Sequence, residues 1–226
     1  GNYDKATTQD FARDVFAGVE YLKSRKEVNP NQIGLIGHSE GGIIAPMVAA
    51  ESKNVAFIVL MAAPAVNGEE IMYEQRRLAQ RASEESEETI TQDHNFLKQL
   101  FTILKKEPDP QIAAGQLREM VKNHMAALQG TRGKANLALL ERCGQTTEWW
   151  RYFLLFDPST ALKQVKIPVL ALYGELDQQA SSTQNLPIIS KALEEAGNKG
   201  FTIVELSRLN HFFQTCQDGS FGEYEK

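Results

Sequence analysis

The sequence has 226 residues, of which 42% are hydrophobic and 23% charged, a composition that fits a globular protein and excludes a disordered or low-complexity chain. Its net charge is −5 and it has no basic stripe, which argues against nucleic-acid binding. The longest unbroken apolar run, Val55–Val66, is far shorter than the roughly 20 residues of a membrane-spanning helix. Two widely separated cysteines, Cys143 and Cys216, exclude a disulfide-rich scaffold and a cysteine-based zinc site.

The first part of the chain predicts helices and strands in alternation. Apolar residues at spacings of three and four predict a helix over residues 8–26, and Thr7 and Asp10 fit a capping box at its start. The run Ile33–Ile36 is too short for a helix and predicts a buried strand. Two further elements continue the alternation: a helix over residues 40–52 and a second buried strand over Val55–Met61.

The middle of the chain breaks this alternation. Residues 68–157 contain no convincing strand and predict four or five helices, with examples at Glu69–Ala82, Thr89–Lys105, Ile112–Leu128 and Thr146–Phe156. The alternation resumes with strands at Val169–Tyr173 and Phe201–Leu206 and a helix between them over residues 184–195. The pattern predicts an α/β fold with a mostly parallel sheet flanked by helices. The helical insertion is expected to lie as a cap over the strand ends, where ligands bind in such sheets.

The strongest functional signal is the segment Gly37-His38-Ser39-Glu40-Gly41, which fits the G-x-S-x-G pattern of a nucleophile elbow. In that pattern the serine lies on a sharp, strained turn between a strand and a helix, and the flanking glycines let neighbouring segments approach. A predicted strand precedes the segment and a predicted helix follows it. The alternative is that Ser39 only caps a helix in a glycine-rich turn.

A serine nucleophile needs a base, and three histidines follow Ser39 in the chain. His94 and His124 fall within predicted helices of the insertion, where a surface position is the simpler interpretation. His211 directly follows the strand Phe201–Leu206, on a loop at the end of the sheet where a base can reach the serine. We therefore predict His211 as the general base.

The base needs an acid to orient it, and two candidates follow the strand Val169–Tyr173. The segment Gly174-Glu175-Leu176-Asp177 favours Asp177, and Glu175 remains the alternative. The backbone N–H of Glu40, the residue after the nucleophile, is predicted to stabilise the oxyanion. A second oxyanion donor normally comes from a loop after an earlier strand, which this sequence does not contain.

These segments resemble the α/β-hydrolase superfamily and, more narrowly, capped bacterial carboxylesterase-like hydrolases close to the serine aminopeptidase and lysophospholipase-like branch. The resemblance is carried, in the family's order, by residues 10–15, 33–42, 174–177 and 209–213. It implies hydrolysis of a small-molecule ester, or of an amide, through an acyl-enzyme on Ser39, with no cofactor and no metal. A serine nucleophile argues against the dehalogenase, epoxide hydrolase and dienelactone hydrolase branches.

The resemblance also implies a division of the chain into a hydrolase core, residues 1–67 and 158–226, and a helical cap, residues 68–157. The cap is expected to shape the acyl pocket. Aromatic residues near its end, namely Trp149, Trp150, Tyr152 and Phe153, are candidates to line that pocket. The alternative is that they form the core of the cap itself.

One feature departs from the family pattern. Members of the superfamily place several strands before the elbow strand, whereas one helix and one strand precede Ser39 here. We therefore expect the C-terminal part of a hydrolase fold, with the earlier strands missing. Two alternatives to an active esterase follow: a catalytically incomplete fragment that needs those strands or a partner, and a peptidase that uses the same three residues. An unpaired edge at Ile33–Ile36 would favour a homodimer or strand exchange.

Overall fold

The sheet of the protein consists of four parallel strands. The computed structural model describes residues 5–125 and 147–224. Within them, the strands lie in the order β1-β2-β3-β4, with bounds Gly34–His38, Phe57–Met61, Val169–Gly174 and Phe201–Leu206. All three neighbouring pairs are parallel, as the apolar runs predict. Each predicted strand is confirmed to within two residues at either end.

Helices connect and flank the strands. They are α1 (Thr8–Ser24), α2 (Glu40–Glu51), the short α7 (Ser159–Leu162) and α8 (Ser182–Glu195). The predicted capping box at the start of α1 is present, and its bond from the Thr7 backbone N–H to Asp10 Oδ2 measures 2.9 Å. The Thr7 hydroxyl also donates to Asp10 Oδ2, at 2.8 Å. These bonds lower the pKa of the Asp10 carboxyl. The four-residue helix α7 was not predicted, since it is too short to show a periodic pattern.

A single apolar cluster joins these helices to the sheet. Val19 of α1 and Val48 of α2 are each 2% exposed and pack in the same cluster as Leu60 and Ala171 of the central strands. Burying an aliphatic side chain of this size stabilises the fold by roughly 1.5–3 kcal/mol. The central strands β2 and β3 therefore form a buried platform, and the loops at their ends are held in place by it.

The helical segment of residues 68–157 contains, in its described part, helices joined by short loops and no strand. Its helices are α3 (Gly68–Ala82), α4 (Glu87–Lys106), α5 (Pro110–Met125) and α6 (Thr147–Leu155). Residues 126–128 of the predicted third helix lie outside the described residues, as does Cys143. The helices of this segment share a second apolar cluster, separate from that of the sheet, which includes Leu100, Phe101 and Leu154. The segment thus has a core of its own.

One sequence-based expectation is wrong. The strand around Ile33–Ile36 was predicted to be buried, but Ile36 is 72% exposed and Phe57, on the same face of the neighbouring strand, is 41% exposed. The physical reason is that β1 lies at the edge of the described sheet with β2 as its strand neighbour. One face of this strand pair packs on the core, through Ile58 and Leu60, and the other face is open.

Among residues 5–125 and 147–224, no helix is both long and apolar enough to cross a bilayer. Nor do these residues include a group of three or more His, Cys, Asp or Glu side chains placed to hold a metal ion.

Candidate active site

Ser39 lies on a sharp turn between β1 and α2. Its backbone has φ 53° and ψ −119°, a sparsely populated conformation with positive φ that costs a non-glycine residue roughly 1–3 kcal/mol. Two hydrogen bonds hold the turn: the N–H of Ser39 donates to Met61 O at 2.9 Å, and the N–H of Gly42 donates to Ser39 O at 2.8 Å. This strained strand-to-helix turn is the geometry that the G-x-S-x-G pattern requires.

The glycines around Ser39 differ in their roles. A Cβ atom on Gly37 would lie 2.0 Å from Gly41 O, and one on Gly42 would lie 2.3 Å from the Cβ of Ala63. Both distances are far below van der Waals contact, so the turn closes tightly only with glycine at these two positions. A Cβ atom on Gly41 would meet no atom within 4 Å. The close approach expected at the flanking glycines therefore holds for Gly37 and Gly42 and not for Gly41.

The loops that follow β3 and β4 bring Asp177 and His211 together. The Nδ1 atom of His211 lies 2.9 Å from Oδ2 of Asp177, and both side chains are almost fully buried. The other carboxylate oxygen, Oδ1, accepts the backbone N–H groups of Gln179 and Ala180 at 2.8 and 2.9 Å. A carboxylate can only accept, so Nδ1 of His211 carries the proton and Nε2 is left free to act as a base.

Glu175, the alternative acid, has different partners. Its Oε2 atom accepts the hydroxyl of Ser207 at 2.6 Å and the backbone N–H of Arg208 at 2.9 Å. These bonds lower the pKa of the Glu175 carboxyl. Glu175 thus ties the loop after β3 to the start of the loop after β4, while Asp177 is the carboxylate that meets His211.

His38 links the elbow to the loop of His211. Its Nε2 atom lies 2.8 Å from the backbone oxygen of His211, which can only accept, so Nε2 of His38 carries a proton. The two imidazole rings lie 4.7 Å apart between centroids. Because His38 directly precedes Ser39, this bond ties the His211 loop to the turn that carries Ser39. No hydrogen bond joins the hydroxyl of Ser39 to His211 among the described residues, as is common in sites without substrate.

Asn210 shapes the loop of His211 and was missed at the sequence level. Its side chain is fully buried, and its Oδ1 atom accepts the backbone N–H groups of Phe212 and Gln214, both at 3.0 Å. The loop also contains two residues with positive φ, Arg208 and Phe213. An asparagine before the histidine is a local turn signal that could have indicated this role.

The side chain of Glu40 has a role that the sequence pattern did not reveal. Its Oε1 atom accepts hydrogen bonds from the hydroxyl of Thr8 and from Nε1 of Trp149, both at 2.7 Å. Thr8 begins α1 and is 1% exposed, and Trp149 belongs to α6 of the helical segment. Glu40 therefore joins the elbow to the first helix and to the insertion at one carboxylate oxygen.

The four aromatic residues predicted near the pocket separate in the structure. Trp149 reaches the elbow through Glu40 and stacks on Phe153, with ring centroids 4.8 Å apart. Trp150 is 3% exposed within the apolar cluster of the helical segment, which favours the packing alternative for this residue. Tyr152 stacks on Phe156 and borders a separate groove.

Three cavities of the structure lie away from these residues. One of about 280 Å³ lies between α3 and α4, and one of about 180 Å³ lies between α1 and α2. The third, of about 430 Å³, is a mostly apolar groove on α6 beside Thr7. None of these three is lined by Ser39, Asp177 or His211. His94 is exposed beside Tyr73, as predicted, and the side chain of His124 lies outside the described residues.

Solved structures with this arrangement of strands and helices identify the fold. An esterase from Pyrococcus furiosus superposes with a TM-score of 0.52 at 16% sequence identity, over 91% of this chain and 56% of that one. The chain has part of the α/β-hydrolase fold. Dipeptidyl peptidase 4 of Porphyromonas gingivalis superposes with a TM-score of 0.50 at 13% identity, over 93% of this chain and 20% of that one. At such identities the likeness concerns the fold alone.

Sequence comparisons point to hydrolases. A family model described as the C-terminal part of BAAT and acyl-CoA thioester hydrolases matches residues 16–124, a span that contains the elbow and ends before Asp177. Esterase EstD of Thermotoga maritima is 28% identical over 205 residues, which is 90% of this chain and 40% of EstD. The chain thus resembles carboxylesterase-like hydrolases, and it spans less than half the length of this curated relative.

Proposed function

We propose that the protein is a serine hydrolase that cleaves carboxylic esters through an acyl-enzyme on Ser39. The observation that carries the proposal is the strained turn at Ser39 together with the buried pair of His211 and Asp177, to which the turn is linked by the bond from His38 to the backbone of His211. The similarity to esterases supports the reaction class.

The chemistry of each residue follows from its atoms. The Ser39 hydroxyl oxygen attacks the acyl carbon while Nε2 of His211 takes its proton, and Asp177 stabilises the imidazolium that forms. The backbone N–H of Glu40 donates to the oxyanion. His211 then gives the proton to the departing alkoxide, so that the alcohol leaves and the acyl group remains on Ser39. Water, activated by His211, releases the acid and restores the serine.

We also propose that residues 68–157 act as a cap over a core formed by residues 1–67 and 158–226. The support is the separate apolar cluster of the helical segment and its attachment next to the nucleophile through Trp149 and Glu40. Trp149, which donates to Glu40, and Phe153, which stacks on Trp149, are the better placed candidates for substrate contact. Substitution of Phe153 by Ala should change the preference for acyl chain length more than substitution of Trp150.

Ester hydrolysis by Ser39 is tested with an aryl acetate and a fluorophosphonate probe. The Ser39→Ala variant should lose turnover by several orders of magnitude and should not be labelled. Ser24→Ala, an exposed serine on α1, is the matched control and should keep both properties. Short acyl-CoA thioesters and aminoacyl amides, offered in parallel, distinguish a thioesterase or a peptidase. Turnover or labelling that survives in Ser39→Ala would refute the proposal.

A second candidate is a catalytically incomplete hydrolase that needs an added strand or a partner. The observation that favours it is the open edge and face of β1, the strand that carries the nucleophile, with Ile36 largely exposed. Lack of one oxyanion donor costs about 100- to 1,000-fold in rate. If β1 pairs with a second copy, specific activity of the 226-residue chain should rise with protein concentration alongside a dimer in sedimentation. Full activity of a monomer would exclude this candidate.

A further inference from the structure

The chain doubles back after His211 and folds into a compact C-terminal segment, residues 215–224. Leu209 and Thr215 form an antiparallel bridge, and the N–H of Cys216 donates to Arg208 O at 3.0 Å. The carboxylate of Glu223 then accepts three successive backbone N–H groups at 3.0 Å, those of residues 217, 218 and 219. These bonds lower the pKa of the Glu223 carboxyl and give the segment a defined shape.

This segment contacts the loop that carries Asp177. The side-chain amide of Gln178 donates to Asp218 O at 2.8 Å, and that of Gln179 donates to the Tyr224 hydroxyl at 3.1 Å. Gly219 has φ 75°, and a Cβ atom there would lie 1.9 Å from Leu176 O. The segment therefore lies directly against the residues on either side of Asp177.

The same segment contacts the loop that carries His211. The ring of Tyr224 meets that of Phe212 edge to face, with centroids 5.0 Å apart, and Phe212 directly follows His211. Phe221 packs on the other side of Tyr224, at 5.4 Å between centroids. Tyr224 is thus a residue that touches both loops, with its hydroxyl on the acid loop and its ring on the base loop.

Gln179 completes the connection to the acid. Its backbone N–H donates to Asp177 Oδ1 at 2.8 Å, and its side chain donates to Tyr224. Its side-chain oxygen also lies 3.5 Å from the amide nitrogen of Gln75, on α3 of the helical segment. A displacement of Tyr224 would therefore be transmitted to the Asp177 carboxylate through a single residue, Gln179.

We propose that Tyr224 and Gln179 are positioning residues, which hold the Asp177 loop and the His211 loop in register so that the acid–base pair stays aligned with Ser39. This inference rests on the proposed function, because alignment matters for a reaction at Ser39. It assigns to the C-terminal segment an indirect part in catalysis, through its contacts with the loops of Asp177 and His211. Neither residue touches the reacting atoms.

The test compares Tyr224→Ala, Tyr224→Phe and Gln179→Leu with Tyr21→Ala, an exposed tyrosine on α1. Tyr224→Ala removes the contacts with both loops, so kcat for an aryl ester should fall about 10- to 100-fold with little change in KM, as expected for a displacement near 1 Å. Tyr224→Phe keeps the ring contact, and its kcat should be about threefold lower than that of the wild type. The kcat of Gln179→Leu should lie between those of Tyr224→Phe and Tyr224→Ala. Wild-type kcat in both Tyr224→Ala and Gln179→Leu would overturn the proposal.

A second readout does not depend on turnover. The proton on His211 Nδ1 lies in the hydrogen bond to Asp177, so its NMR resonance at fixed pH reports on that contact. A loosened contact should move this resonance upfield in Tyr224→Ala and leave it unchanged in Tyr21→Ala. The wild-type resonance in Tyr224→Ala would overturn the positioning role.

The two proposals fail in different ways. A wild-type chain without turnover or probe labelling contradicts the proposed hydrolase, yet the His211 Nδ1–H resonance still decides whether Tyr224 aligns the pair. If Tyr224→Ala does not fold, Tyr224→Phe and Gln179→Leu decide instead. A wild-type kcat together with a wild-type His211 Nδ1–H resonance in both variants refutes the proposal.

Discussion

The carboxylate of Glu40 offers a direct test of how the elbow is tied to the rest of the protein. Its Oε1 atom accepts the Thr8 hydroxyl and the Trp149 indole N–H, both at 2.7 Å. Substitution by Ala removes the acceptor of both bonds and leaves the nearly fully buried Thr8 hydroxyl without this partner. The backbone N–H at position 40 is retained, so the expected effect is first of all one of stability.

The magnitude follows from the two bonds. Hydrogen bonds to a charged group contribute about 1.5–3 kcal/mol each, and ordinary ones about 1 kcal/mol. Since the Glu40 side chain is only half-buried, we expect Glu40→Ala to lower the free energy of unfolding by about 2–4 kcal/mol. For a chain of this size each kcal/mol corresponds to about 2–4 °C in Tm, hence a drop of about 4–16 °C. Glu40→Gln keeps an oxygen acceptor and should lose about 1 kcal/mol.

The assay is thermal and urea unfolding of both variants beside Glu51→Ala, an exposed glutamate on the same helix. A double-mutant cycle with Trp149→Phe isolates the bond between the elbow and α6, and it should give a coupling of about 1–2 kcal/mol. If Glu40→Ala and Glu51→Ala unfold within about 0.5 kcal/mol of each other, or if the cycle shows no coupling, the bridging role assigned to Glu40 is wrong.

Three further predictions concern the site and its surroundings. Asp177→Asn should lower kcat about 10⁴-fold with the fold retained in circular dichroism, because the amide favours the wrong histidine tautomer; an effect below tenfold would contradict its role. Gly37→Ala should destabilise the chain by more than 2 kcal/mol, since its Cβ would overlap a backbone oxygen, whereas Gly41→Ala, with open space around its Cβ, should be neutral or stabilising in urea unfolding. Burial, and then the nearby Glu223 carboxylate, raises the pKa of the Cys216 thiol, so the unfolded chain loses this proton first. The stability contributed by the thiol is present below a pH of about 8.5 and is lost as the pH rises above it. The Tm of Cys216→Ala should therefore fall less than that of the wild type between about pH 8 and 10. Parallel curves of Tm against pH for the two proteins would refute this.

Much of the fold was accessible from the sequence. Apolar runs and helical spacing predicted all four described strands and the principal helices, because short-range periodicity reflects which faces a segment must bury. The turn at Ser39 was also predictable, since a local G-x-S-x-G pattern fixes a local backbone geometry. The exposure of β1 was not predictable, because an apolar run such as Ile33–Ile36 occurs both in central strands and in edge strands.

Contacts between distant segments were decided only by the tertiary structure. The sequence left Glu175 and Asp177 as alternatives two residues apart, and only the approach of the loop after β4 shows that Asp177 meets His211 while Glu175 binds Ser207. Likewise, Trp149 and Trp150 are neighbours in the chain, yet a helix turns them in different directions, one toward Glu40 and one into the core. The sequence pattern predicts the local conformation of the backbone. The pairing of side chains that lie more than 30 residues apart depends on how the sheet brings its loops together.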